Sequence, residues 1–268
     1  MFIEKYPLQV SSVIIAPIAQ KFYFPKALKL PFPNLKGMYH LAEYFNIPKT
    51  SIRVTLSRMK KKGEIDCFTD KEGIVRYKMT KMMTLISKHA LLFGKSKGFT
   101  LAVFNFKKEN DKERYRIREI LNAFGFRKLA QNVYLNIRVD SENIMQEIAK
   151  WDLEDNIYLF NCNDIKDPSM ISRIRLLWKL DQWNDKLNEF YEDLKIYFSF
   201  DDLSDEEVYK RYSYGYSVFF VYFYEKHPLV PSGFMKEDYA LVKVMELLQY
   251  TLDNYTDNIA KHYKLINS

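Results

Sequence analysis

Between Lys49 and Lys62 the chain carries six cationic side chains, Lys49, Arg53, Arg58, Lys60, Lys61 and Lys62, and no acid. Thr50, Val54 and Ser57 are interleaved with them. That mixture suits the edge of a nucleic-acid duplex. An arginine such as Arg53 can bond bidentately to guanine, Thr50 and Ser57 can read either base, and Val54 can touch a thymine methyl. Lys49, Arg58, Lys60, Lys61 and Lys62 have the charge and reach for phosphate, so binding should weaken steeply with salt. Placed on a helix, Ile52, Leu56 and Met59 form one apolar stripe; Thr50, Arg53, Val54, Ser57 and Lys61 lie opposite, with Arg58 beside them. One face is then free to enter a major groove. Further on, Lys71, Arg76 and Lys78 flank a turn at Gly73, where they would add backbone or minor-groove contacts.

Nothing else in the sequence groups into a reactive constellation. His40, His89, His227 and His262 are scattered, and G-x-S-x-G, P-loop and H-E-x-x-H patterns are absent. Cys67 and Cys162 stand far apart without metal-ligand spacing, which excludes a disulfide framework and points to a reducing, cytoplasmic setting. No enzyme, cofactor or metal site is predicted. The apolar stretch Leu8 to Ala19 is too short to span a bilayer, and Glu4 offsets Lys5 before it, so it reads as the first helix of a domain rather than a leader.

Elements that could position these residues follow from periodicity. Helices are predicted near Ser11 to Tyr23, Leu35 to Phe45 and Lys49 to Lys62, the last ending on Gly63, then a hairpin from Glu64–Phe68 and Ile74–Thr80 around Asp70–Gly73. Helix, tight turn, helix, hairpin is the order of a winged helix-turn-helix. A second region alternates Phe99–Phe106, a helix near Lys112 to Phe124, strands Phe126–Ala130 and Asn132–Ile137, a helix Ser141 to Lys150 and a strand Asn156–Phe160. That is the split βαβ order of a ferredoxin-like domain. Three long helical stretches follow, Ile171 to Phe198, Asp205 to Glu225 and Lys236 to Tyr263. Short linkers at Phe93–Gly98 and Asn161–Pro168 complete an α+β reading in three parts. These are a winged helix-turn-helix over 1–92, a ferredoxin-like domain over 98–163 and a helical C-terminal domain over 168–268.

Charge follows the same division. Residues 1–98 hold 18 Lys and Arg against 6 Asp and Glu, a net +12, while residues 99–268 hold 23 against 28, a net −5. A compositional bias toward lysine would raise it throughout, so the asymmetry points to a polyanion partner for the first part, double-stranded DNA.

The string from Ser51 to Gly63 resembles the recognition-helix segment of the PaaX family, repressors of phenylacetate degradation. The likeness continues through Phe99 to Ile137, including Phe124-Gly125-Phe126 and Leu129-Ala130-Gln131-Asn132-Val133-Tyr134. This stretch resembles that family's middle domain, itself similar to the CRISPR-associated Cas2 fold. His227-Pro228-Leu229-Val230-Pro231 resembles the proline-bracketed motif of the family's C-terminal domain. The resemblance implies a homodimeric repressor that binds a palindromic operator and is released by an acyl-CoA effector; separately, no membrane partner is expected of a chain whose apolar stretch is too short to span a bilayer. Where the family continues into a Trp-Pro-Gly element, this chain has Met235-Lys236-Glu237-Asp238-Tyr239, and the effector pocket is left unassigned.

Two other functions compete with DNA regulation. A Cas2-like metal-dependent nuclease would need a carboxylate at the end of its first strand to hold a hard cation, where this chain has Asn105 and Phe106. A winged helix can also serve as a protein-interaction module, which salt-sensitive duplex binding would distinguish. The aromatic concentration from Phe190 to Tyr224 could line a pocket, but such residues more often form core and dimer interface.

Overall fold

After the short helix α1 (Phe2–Lys5), α2 (Val10–Tyr23) turns Val13, Ile14 and Ile18 inward, each fully buried, and α3 (Leu35–Tyr44) does the same with Met38, Leu41 and Ala42. The computed structural model describes residues 2–23, 30–80, 98–106, 111–137, 141–162, 165, 167–224, 226–228, 230 and 232–268. It is a mixed α+β chain with two small sheets. The expected linker before Gly98, His89, and Leu229 and Pro231 of the proline-bracketed stretch lie outside the described residues.

Asn34 starts α3 with extended backbone, its side-chain oxygen accepting the Gly37 N–H at 2.8 Å, as an N-cap does. After the turn at Asn46, α4 (Lys49–Lys61) begins at Pro48 and ends in a Schellman motif: Gly63 takes φ 69°, its N–H bonds to Lys60 O at 3.0 Å, and Glu64 N–H bonds to Met59 O at 2.9 Å. Strands β1 (Ile65–Thr69) and β2 (Val75–Met79) then pair antiparallel, Cys67 opposite Tyr77. Asp70 organises their turn, accepting from the N–H groups of Glu72 and Ile74, both at 2.9 Å.

Contacts divide the chain into two compact units, where the sequence reading draws three domains. The first joins residues 1–92 to 184–227 and 238–268; the second holds 93–183 and 228–237. In the first unit α9 (Asp205–Val218) is buried from Val208 through almost every position to Val218, the signature of a helix enclosed on all sides. It packs on α2 and on α11 (Thr256–Asn267), and α11 packs on α3. Phe190, Phe198, Tyr212, Tyr214, Tyr216 and Phe220 are core residues here. Asn34 and α11 are joined closely: the Asn34 N–H donates to Asn267 Oδ1 at 3.0 Å and its amide nitrogen to the Asn267 carbonyl at 2.9 Å. A side chain larger than hydrogen at Gly37 would overlap the Asn267 amide.

The second unit contains β3 (Phe99–Phe104), α5 (Asp111–Ala123), β4 (Arg127–Ala130), β5 (Val133–Asn136), α6 (Ser141–Ala149) and β6 (Ile157–Cys162). Their sheet runs β4-β5-β3-β6 with every neighbouring pair antiparallel. Ala102, Phe104, Tyr134 and Ile157 face Ile117, Leu121, Ile144 and Ile148 of the two helices in one core.

The long C-terminal helices are shorter than predicted. The first breaks at Lys179, which takes φ 54°, into α7 (Pro168–Leu177) and α8 (Leu180–Tyr197). The second changes to a π-helical turn over Phe219–Tyr224. The third becomes α10 (Ala240–Asn254) and α11, divided at Tyr255. Apolar periodicity continues across all three junctions, which is why sequence alone does not mark them.

Candidate nucleic-acid interface

Helix α4 turns Ile52, Thr55, Leu56 and Met59 into the first unit and leaves Lys49, Thr50, Arg53, Val54, Ser57, Arg58, Lys60, Lys61 and Lys62 exposed. The predicted apolar stripe is the buried one, with Thr55 added to it. Val54 is 69% exposed, a large apolar side chain standing in water among cations.

Arg53 is held rather than loose. Its Nε donates to the Tyr39 hydroxyl of α3, and its guanidinium carbon lies 5.6 Å from the Tyr39 ring centre. Lys49 pairs with exposed Glu43 at 3.2 Å, and Lys60 reaches the Cys67 sulfur of β1 at 3.0 Å, which ties the end of α4 to the hairpin. Beside the helix, Gln9, Val10 and Ser11 at the start of α2 face Thr50, Val54 and Arg58 across an open groove of about 450 Å³. The groove sets the start of α2 beside Arg58, and the helix dipole and the cation both favour an anion there.

The hairpin exposes only some of its predicted cations. Lys71 is exposed at the tip, and Lys78 lies half-buried with its Nζ 5.3 Å above the Phe68 ring. Arg76 must be corrected: it is 2% exposed and cannot touch a duplex. Its Nε bonds to Asp70 Oδ2 at 2.6 Å and its Nη1 to the carbonyls of Asn267 at 2.9 Å and Phe32 at 3.2 Å. This guanidinium holds the Asp70 carboxyl below the usual carboxylate range. Asp70 in turn shapes the tip that presents Lys71. The sequence shows a cation in a basic hairpin; its partner carbonyl lies 191 residues away, beyond any local signal.

Tyr39 and the start of α2 are also absent from the sequence prediction. Tyr39 is four positions after Leu35 on α3 and carries no mark of its role until the third dimension sets it beside Arg53. Among the described residues no three His, Cys, Asp or Glu side chains converge as metal ligands, and no helix is long and apolar enough to cross a membrane.

No family model and no curated protein matches the chain. Among solved structures it is similar to the uncharacterized protein Rv0674 from Mycobacterium tuberculosis, at 14% identity and TM-score 0.50, over 97% of this chain and 99% of that one. The likeness is one of fold, end to end.

Proposed function

We propose that the protein is a DNA-binding transcriptional regulator, a homodimer that reads a palindromic operator through α4. One observation carries the reading: on a helix without a single acid, the apolar stripe is buried and the cationic face is exposed. The order α3, α4, β1, β2 supports a winged helix-turn-helix, and the strand order β6-β3-β5-β4 with α5 and α6 on one face supports a ferredoxin-like second unit.

In this reading α4 enters the major groove, where Arg53, kept in place by Tyr39, bonds to a guanine edge and Val54 covers a thymine methyl. Thr50 and Ser57 bond to neighbouring bases. Arg58 and the groove at the start of α2 take one backbone phosphate, while Lys60, Lys61, Lys62 and Lys71 take others. Lys78 adds to the hairpin's contacts. Arg76 acts indirectly, by fixing Asp70 and the turn. An acyl-CoA effector and the sign of regulation, repression, come from the resemblance to the PaaX family and have no assigned pocket.

Fluorescence anisotropy of the full chain on the duplex upstream of its own gene, across a salt series and against scrambled DNA, tests the reading. Tight binding that prefers the native duplex and weakens with salt is the expected result; equal affinity for scrambled DNA would overturn it.

A further inference from the structure

Strand β4 closes one edge of the four-stranded sheet, and four cations gather there. Arg127 and Lys128 are exposed on the strand itself. Lys128 pairs across to Tyr134, a core residue, so it stands on the helix side of the edge. Arg173 of α7 is exposed and crosses to the strand, its Nη2 donating to the Leu129 carbonyl at 3.2 Å. Arg118 comes from α5. It lies about 100° round the helix from the core residue Ile117, with Arg116 as far to the other side. Arg116 stacks on Trp151, just after α6, with its guanidinium carbon 4.0 Å from the ring centre. The chain enters β4 from α5 and β6 from α6, at opposite edges, so the flank turned away from α6, with Arg118 on it, is the β4 side.

These four cations are unmatched. Arg114, Arg116 and Lys150 of the same unit each pair with a nearby acid, whereas among the described residues Arg118, Arg127, Lys128 and Arg173 enter no ion pair, although residues 99–268 carry a net −5. Charge on an edge strand can serve only to keep it from pairing with another strand. That accounts for Arg127 and Lys128. It does not call for Arg173, brought in from 44 residues along the chain, or for Arg118, whose Nε is shut off from water with no acceptor.

We propose that the β4 edge is a second contact for double-stranded DNA, holding the phosphate backbone without reading sequence. Three of the four cations are arginines, whose planar forks match phosphate oxygens. They line an edge, which suits a run of phosphates better than one small anion. The proposal rests on the reading of the protein as a DNA-binding regulator and adds to it a contact apart from α4.

Arg127→Gln with Lys128→Gln removes two exposed charges that bond to nothing in the chain, so the thermal melt should not change. Anisotropy of this full-length variant on native and scrambled duplex should show the salt slope reduced by about two and the preference for native duplex kept. A rise from about 50 to about 200 mM salt then costs the parent about tenfold more affinity than the variant. Independently, Arg127→Cys carrying an iron–EDTA group, in a chain with Cys67→Ser and Cys162→Ser, should cleave bound duplex. An unchanged slope, a loss on native duplex that scrambled duplex does not share, or no cleavage would each overturn the proposal. Equal affinity of the parent for native and scrambled duplex would overturn the α4 reading alone, because slope and cleavage are read on either duplex.

Discussion

Arg53 and Arg76 are 23 positions apart in one basic segment, and the fold gives them opposite work. Arg53 is exposed and steadied by Tyr39; Arg76 is buried on Asp70 and Asn267. Arg53→Ala should cost about 1–3 kcal/mol of specific binding and relax base preference at one position, whereas Lys61→Ala should weaken specific and random duplex alike and lower the salt slope by about one. Anisotropy on matched duplexes separates the two; equal losses on both duplexes would contradict the division of roles. Removing Arg76 takes away the buried charge partner of Asp70 and one donor from each of the Asn267 and Phe32 carbonyls, so Arg76→Ala should destabilise the fold by about 3 kcal/mol in a denaturant titration. Arg76→Lys should not restore it, because an ammonium cannot span the same three acceptors.

At the scale of elements, α11 fixes α3. Beyond the Asn34–Asn267 bonds, the Tyr44 hydroxyl lies 2.8 Å from His262 Nε2, and the Tyr263 hydroxyl donates to the Pro31 carbonyl at 2.8 Å. Burial lowers the His262 pKa; Glu206 and Asp205 oppose the shift and His40 reinforces it. Neutral His262 can accept from Tyr44; protonation removes that acceptor. The folded chain therefore takes up this proton less readily than the unfolded chain. The stability is fully present above the ordinary histidine value, about 6.5, and is lost as pH falls through the lowered folded value. His262→Gln, measured by thermal melting at pH 7 and pH 5, should lose less on acidification than the parent. An equal loss would place the sensitivity elsewhere.

For the whole molecule, the residues that present α4 and those of α9, α10 and α11 belong to one compact unit, in which α2 packs on α9 and α3 on α11. A chain ending before Thr256 should lose its single sharp melting transition by circular dichroism, and residues 1–80 alone should show none. Independent folding of that fragment would contradict the shared core.

Local sequence determined the elements whose signals are local. Ile52, Leu56 and Met59 at helical spacing set the buried side of α4, Gly63 supplied the left-handed residue that ends it, and alternation from Phe99 to Cys162 laid out the strands of the sheet. The free face of α4, and with it Arg53, Val54 and Ser57, was legible for the same reason: a stripe that packs defines the face that does not. Only the tertiary structure decided that Arg76 is buried, that Tyr39 holds Arg53, and that the first and last parts of the chain share one core. Those facts rest on contacts between residues up to 233 positions apart, such as Asn34 with Asn267. Periodicity reports what a helix turns inward, and it carries no record of which distant segment will be there to meet it.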